Sequence, residues 1–313
     1  MNTNVNIKVA DINMLKNIDY LGRGYDILLV DPYTMSSQGV SKRDVFEIDA
    51  INNTKPIPDG SALIPKGTQY HSEDEAVSDL TTEYLYSDYD FQSTFSKNIS
   101  TNVGLPGLFS FSSSSSYSSF KKEVGSTENI STYTHVQLKD YSVEIVNSGT
   151  TEKLPLTEDF STAVLNLPEN YECKKEKEQY KALIKLYGTH YSKHIMFGGR
   201  ALQSIVMSKE TYSTLTREGI DISLGAEGTF KGVTGGGSGG LSEEQQKEFN
   251  SITSKGQNSV IYIGGTAEEN LTEFLKSVPA NPAPIELYLE LLSDLFSDYY
   301  FPNDNIIAAK QDN

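Results

Sequence analysis

Two stretches of the chain carry two periodicities at once. In residues 85–105, apolar side chains fall at Leu85, Tyr89, Phe91, Phe95, Ile99, Val103 and Leu105, and the even positions Asp88, Asp90, Gln92, Thr94, Ser96, Asn98, Ser100 and Asn102 are polar. A period of two predicts a strand with one apolar face. Phe91, Phe95, Ile99 and Val103 are also spaced four apart, one stripe of a helix. Residues 220–230 behave likewise: Ile220, Ile222, Leu224, Ala226 and Phe230 alternate with Asp221, Ser223, Gly225, Glu227 and Thr229. Both stretches meet the specification of a membrane-spanning β-strand, ~9–11 residues with one apolar and one polar face. The same alternation also describes an ordinary half-buried antiparallel strand, so both readings stand at this point.

The remaining pattern is mixed. Gly22 and Gly24 open a turn, and residues 27–30 predict a short apolar strand stopped by Asp31-Pro32. Residues 37–78 read as short strands and loops, and residues 79–135 are rich in Ser, Thr, Tyr and Phe, with a low-complexity run at 109–120. Residues 136–146 predict a strand. Residues 157–167 and 172–187 predict helices, the second presenting Tyr180, Leu183, Ile184 and Tyr187 on one face and stopping at Gly188. Residues 200–208 are strand-like. Within the polar, Gly-rich stretch 211–262, the run Ser242-Glu243-Glu244-Gln245 fits a capping box for a helix ending near Gly256. Residues 260–263 predict a strand, Thr266–269 a second capping box, and 285–296 a last helix with Ile285, Tyr288, Leu289, Leu292, Leu295 and Phe296 on its buried side. Strands and helices are not in strict alternation, which predicts an α+β fold with a mostly antiparallel sheet. No linker divides the composition. One domain is read over 18–302, with an extension at 1–17 and a tail at 303–313.

Composition narrows the function. Against 26 Lys and Arg stand 42 Asp and Glu, a net charge of −16. That balance argues against nucleic acid, whose phosphates require clustered cations, and against electrostatic attachment to an anionic membrane. The single Cys173 makes no internal disulfide. No stretch approaches the ~20 apolar residues of a transmembrane helix, and the first twenty residues hold no apolar signal region. His190 and His194 have a spacing that could bind metal on a helical face; with no fixed Cys or carboxylate ligand beside them, a packed histidine pair is the expected reading. Gly235, Gly237 and Gly240 match G-x-G-x-x-G outside any βαβ frame, so they read as a hinge or hairpin tip. No nucleophile–base pair, carboxylate pair or phosphate-loop Lys stands out, so no enzyme, metal or cofactor is expected.

Residues 187–199, YGTHYSKHIMFGG, resemble the signature of the membrane attack complex/perforin (MACPF) family: an aromatic, Gly, Thr or Ser, His, an aromatic, about six residues, then Gly-Gly. Tyr187, Gly188, Thr189, His190, Tyr191, Gly198 and Gly199 fill every fixed position. The LGRGYDI opening at 21–27, the Ser-rich stretch before VQLKDYSVEI, and IYIGG followed by a helix and SVPANPAPI are also similar to that family, so the resemblance spans roughly 18–300. It implies a bent, twisted four-stranded antiparallel sheet flanked by two helical clusters, as in MACPF and cholesterol-dependent cytolysin folds. Gly198-Gly199, read as sitting between the helical block and the strand at 200–208, would allow positive φ and close approach where the sheet bends.

The resemblance further implies that the clusters, about 80–135 and 211–262, unfurl into transmembrane β-hairpins of a large ring-shaped homo-oligomeric pore. Tyr89, Phe91, Phe95, Ile99, Val103, Ile220, Ile222, Leu224, Ala226 and Phe230 would then face lipid, and Asp88, Asp90, Asp221 and Glu227 the pore lumen. Strand partners are sought at 109–120 and at 249–260, where alternation is poor. The alternative is a non-lytic member acting in adhesion or signalling, or as partner of another pore component; the breaks at Lys97 and Thr101 favour it. Many members carry a C-terminal membrane-binding module, and this sequence ends at Asn313. Targeting is therefore expected from an aromatic loop, a membrane receptor or a second protein. The expected location is secreted or released, then membrane-associated, by an export route the sequence does not name.

Overall fold

The computed structural model describes residues 13–34, 41–48, 53–77, 80–101, 112–124, 128–146, 153–233, 240–254, 258–267 and 271–313. Its frame is a pair of long antiparallel strands, 17 and 19 residues in length. Ahead of them in the chain come β1 (Arg23–Tyr25), β2 (Ser41–Asp44), the hairpin β3 (Thr54–Pro56) and β4 (Leu63–Pro65), then β5 (Thr68–Val77) and β6 (Thr81–Leu85). Helix α1 (Asp88–Phe95), strand β7 (Ile99–Thr101) and helix α2 (Ser115–Glu123) lead to the first long strand, β8 (Asn129–Ile145). Helices α3 (Glu158–Leu165) and α4 (Lys174–Tyr187) precede the second, β9 (His190–Ser208). Helices α5 (Lys209–Arg217), α6 (Ile222–Val233) and α7 (Glu243–Thr253) follow, then β10 (Asn258–Ile263), α8 (Leu271–Ser277), β11 (Ala283–Leu291), a 3-10 turn at Leu292–Leu295 and α9 (Ile307–Asp312).

The sheet is four strands wide along most of its length. β6 and β5 lie end to end along β8, pairing with its residues 131–135 and 138–145. β10 and β11 lie end to end along β9, pairing with 200–205 and 190–198. All these pairings are antiparallel. At the far end β1 pairs with His190 and Tyr191, and β7 adds to the outside of β11 in parallel. The β8–β9 register shifts between Lys139 and Tyr141, so Asp140 is an extra residue, a bulge that bends the strand and increases its twist. The bulge divides the sheet. Beyond it, Tyr141, Val143 and Ile145 join the main core with Tyr191, Ile195 and Phe197, closed by α3 and α4 through Phe160, Val164, Tyr180 and Leu183. Before it, both faces are covered. Tyr133 meets Phe95 of α1 at 4.7 Å on one face. On the other, Ile205 and Met207 pack with Leu215, Ile220, Ile222, Ala226 and Phe249, and Val136, Leu138 and Ala201 pack with Phe230, Phe274 and Val278. Adjacent residues of a strand point to opposite faces, so two helical groups sandwich one stretch of sheet.

Several sequence expectations change. Residues 27–30 form a turn, with the amides of Leu29 and Val30 donating to the Asp26 carbonyl; the strand lies just before it. Residues 285–296 are not a helix but β11 plus a 3-10 turn, because Ile285, Leu287 and Leu289 alternate inward while β9 and β7 satisfy the backbone on both sides. The ranges 80–135 and 211–262 are only partly helical, since β6, β7, the start of β8 and β10 lie inside them. Residues 303–313, set apart as a tail, dock on the domain: Ile307 is buried, and the Lys310 ammonium donates to the carbonyls of Val164 and Leu165 and to Asp304.

Candidate functional site

The signature block runs from the end of α4 into β9. Tyr187 is buried against Phe160, with ring centroids 5.0 Å apart. Gly188 then takes φ 85° and ψ −164°, a region essentially reserved for glycine. A Cβ there would lie 2.3 Å from the Tyr25 carbonyl oxygen, and one on Gly24 would lie 1.8 Å from that of Tyr187. The two glycines thus let the helix end and β1 touch backbone to backbone. Thr189 secures the junction: its hydroxyl meets the His190 Nδ1 at 2.9 Å, and its carbonyl accepts the Leu292 amide at 3.0 Å. The Tyr191 hydroxyl donates to Glu290 at 2.7 Å, and Lys193 reaches the same carboxylate at 2.6 Å.

His190 is 1% exposed, and its Nε2 has no partner among the described residues. Burial pushes its pKa down to about 4, against a weaker opposing pull from Asp26, so the ring is neutral at pH 7. His194 lies four residues further along a strand, not on a helical face, which separates the two by ~13 Å at strand rise. Among the described residues no group of three or more His, Cys, Asp or Glu is placed to hold a metal.

Gly198 and Gly199 lie inside β9, not between helix and strand, and neither has positive φ. Close approach is what they supply. A Cβ on Gly198 would stand 2.0 Å from the Leu138 carbonyl oxygen beside the bulge, and one on Gly199 2.2 Å from Val278. Gly264, at φ 68°, presses onto the same place, its missing Cβ only 2.3 Å from the Gly198 carbonyl oxygen. The Gly-Gly of the signature and the IYIGG turn therefore form one seam at the bend. Next to it Arg200 is completely buried. It donates through Nη2 to the Ile285 carbonyl and to Gln137, while its Nε and Nη1 lack partners among the described residues.

Each double-reading stretch contains a helix, α1 in the first and the start of α6 in the second. In α1, Phe91 and Phe95 are fully buried, while Tyr89 is 70% exposed. Ile99 is buried in β7 and so leaves the helical stripe; Val103 lies outside the described residues, as do Gly235 and Gly237. In α6, Ile222, Ala226 and Phe230, four apart, are buried, Leu224 is exposed, and Ile220 is buried just before the helix. The acids face water or cap. Asp88 pairs with Lys121 at 2.7 Å, and Asp90 accepts from the Tyr86 amide and the Ser87 hydroxyl. Asp221 accepts from the Leu224 amide and the Ser223 hydroxyl, and Glu227 is half-exposed. The capping box at Ser242 forms as the sequence predicts.

A contact that the sequence does not signal fastens the first cluster. Asp31, which the sequence marks only as a strand stop, is 4% exposed. Its carboxylate accepts from the Ser115 hydroxyl (2.6 Å), the Ser116 amide (3.0 Å) and the Ser116 hydroxyl (2.8 Å) at the start of α2. It also accepts from the amides of Tyr33 and Thr34. Burial alone would raise its pKa, but these donors outweigh burial and hold it below the ordinary 3.8. Beneath the clusters the sheet is partly polar, with hydroxyl pairs Ser131–Ser204 and Thr82–Thr134 at 2.9 Å.

Two of the excursions between neighbouring strands leave the same end of the sheet, whereas the link from β8 to β9 through α3 and α4 leaves the other. β6 ends at Leu85 beside Ser131 of β8; β9 ends at Ser208 beside Asn129; β10 begins at Asn258 beside Ile205. Residues 86–128 join β6 to β8, and residues 209–257 join β9 to β10. Such a sheet has known counterparts. A family model described as the MAC/Perforin domain matches residues 9–311. Perforin-1 of Rattus norvegicus is 27% identical over 172 residues, 47% of this chain and 30% of the relative. GNIP1Aa from Chromobacterium piscinae superposes with a TM-score of 0.59 at 17% identity, over 93% of this chain and 57% of that one. A protein with a MAC/Perforin domain from Bacteroides thetaiotaomicron does so at 0.50 and 11% identity, over 96% and 61%. At those identities the solved structures show a shared fold, and the chain spans less than two thirds of each of these relatives. With a family model matched almost from end to end and its signature built into the bend of a four-stranded sheet, the chain belongs to the MAC/Perforin family.

Proposed function

We propose that this chain forms pores: copies assemble as a ring on a membrane, and residues 86–128 and 209–257 refold into two transmembrane β-hairpins. The carrying observation is topological. Each segment connects antiparallel neighbours at the same end of the sheet, so extending it continues two existing strands and needs no rethreading. Each is about twice as long as two spanning strands of ~9–11 residues require.

Side-chain chemistry supports the reading. Phe91, Phe95, Ile222, Ala226 and Phe230 are buried in the soluble form and would face lipid in a hairpin; Asp88, Asp90, Asp221 and Glu227 meet water in both. Lifting the first cluster in water would expose Phe91, Phe95 and Phe120, at ~1.5–3 kcal/mol each, so roughly 5–9 kcal/mol holds it down until lipid takes over their burial. The hydroxyl pairs left on the sheet would then bond water at little cost. Lumen-facing acids give a wet, cation-favouring channel.

The test is dye release from liposomes together with electron microscopy for rings. Intact liposomes and monomers at every lipid composition sink the reading. A lock sharpens it: Asp31→Cys with Ser116→Cys, in a Cys173→Ser background, joins side chains that already meet at 2.8 Å. Oxidation should stop release and reduction restore it. The Lys97 break in the alternation favours the non-lytic alternative, under which the protein binds its target and the lock changes nothing.

A further inference from the structure

We propose that three tyrosines, Tyr84, Tyr86 and Tyr212, form a docking surface for choline headgroups, so that this chain recognises zwitterionic membrane directly. The inference rests on the pore reading for which way the molecule points: hairpins that extend the strands leave from the end marked by Leu85, Asn129, Ser208 and Asn258, so that end must face the bilayer. The tyrosines sit there. Tyr84 is the last residue but one of β6, Tyr86 lies one residue beyond that strand, and Tyr212 is in the first turn of α5 just after β9. The Tyr84 and Tyr86 rings stack with centroids 6.1 Å apart at 14°. Tyr212 stands edge-on to both, at 6.4 and 6.3 Å.

Tyr86 is 49% exposed, and Tyr89, a turn further on, 70%. Aromatic rings exposed in a cluster, rather than singly, mark an interaction surface, and tyrosine suits the bilayer interface, where its ring is buried and its hydroxyl stays wet. Charge selects the lipid. The carboxylate of Asp90 acts on Tyr86 and that of Asp221 on Tyr84, and the whole chain carries −16. Anionic headgroups are therefore repelled, whereas a quaternary ammonium is drawn to exposed ring faces, with the Asp90 carboxylate close by on the Tyr86 amide. The Tyr86 hydroxyl donates to the Tyr212 hydroxyl across 3.5 Å, which leaves the Tyr212 proton to donate to a phosphate oxygen. The cluster joins the two excursions, so lipid bound there touches both at once.

The experiment is flotation of the full chain with vesicles, scored separately from dye release. Phosphatidylcholine vesicles should carry the protein in high salt as in low. Added phosphatidylserine should not strengthen binding, vesicles of phosphatidylethanolamine should carry little, and soluble phosphocholine should compete. Tyr86→Ala with Tyr212→Ala should lower binding at least about tenfold; Tyr86→Phe with Tyr212→Phe, which keeps the ring faces, should retain most of it, and Tyr299→Ala should retain all. Binding that requires anionic lipid or a glycolipid, or that ignores phosphocholine, overturns the proposal, as does an alanine pair that floats like wild type. Phosphocholine competition needs no variant and decides the matter if the pair misfolds. Protein that floats without releasing dye leaves the headgroup site standing and sinks the pore reading; release confined to choline-free vesicles does the reverse.

Discussion

Replacing Asp31 with Asn isolates the latch on the first cluster. The carboxylate offers two acceptor oxygens to five donors, three of them from Ser115 and Ser116 at the start of α2. An amide of the same shape has one acceptor. If its oxygen keeps Tyr33, Thr34 and the Ser116 hydroxyl, its NH₂ confronts the Ser116 amide, donor against donor; the Ser115 hydroxyl can turn and accept instead. The cost is one buried unsatisfied N–H, ~1–3 kcal/mol, plus the loss of charge on the bonds that remain, together about 3 kcal/mol. Because these bonds tie α2 to a loop and not to the sheet, the loss should appear as local opening. At 1.36 kcal/mol per decade, amides of α2 should exchange with solvent about a hundredfold faster in Asp31→Asn, while those of β8 and β9 stay protected. If liposome release is limited by this opening, its lag should shorten in parallel. Unchanged protection in α2, or an equal loss across the sheet, refutes the latch. The pH dependence has a definite sign. A carboxyl held below 3.8 in the folded protein contributes its stability above that value and loses it as pH falls through the lower folded one. Mild acidification to pH 5 should therefore leave the latch shut.

Other outcomes follow from the bend and its neighbours. His190, lowered from 6.5 to about 4 by burial, takes up a proton on unfolding between those values. On its account stability should fall by about 3 kcal/mol as pH drops from ~6.5 to ~4; His135, lowered to about 4 by burial as well, adds a like share, so thermal melts of His190→Gln should lose about half of the slope and keep the rest. Gly198→Ala drives a Cβ into the Leu138 carbonyl and should cost ~2 kcal/mol or more, read as a lowered melting temperature; an unchanged melt would show that the seam has slack. Arg200→Met removes, at similar volume, a buried charge with no carboxylate partner among the described residues, so its melt should match or exceed wild type, whereas Arg200→Ala should lower it by leaving a cavity.

The residues that were legible in advance are those whose neighbours in sequence determine their structure. Tyr180, Leu183 and Tyr187 form the buried face of α4, though Ile184, expected with them, is exposed, and Ser242 with Gln245 caps α7, because helical contacts span three or four residues. Residues 190–199 were not recognisable as strand, since β9 is buried on both faces and shows no alternation to read. Residues 285–296 held helical and strand spacings together, and pairing with β9 and β7 decided between them. Asp31 and Ser115 are 84 positions apart, and no spacing rule links them. The same holds for Tyr86 and Tyr212, 126 apart. For 85–105 and 220–230 the two periodicities are both real features of the chain, and the helical one governs Asp88–Phe95 and the start of Ile222–Val233, while Ile99–Thr101 is strand.

The short parallel strand β7 has a consequence for handling the protein. A sheet with two bare edges invites copies to add head to tail without limit. Here the outer side of β11 at Leu287, Tyr288 and Leu289 is already occupied by Ile99, Ser100 and Thr101. That side of the sheet is thus interrupted at β7, so two copies cannot align along their full lengths while β7 is in place. Concentrated stocks should then stay monodisperse in buffer, and filaments in a tube left standing would mean that β7 had come away.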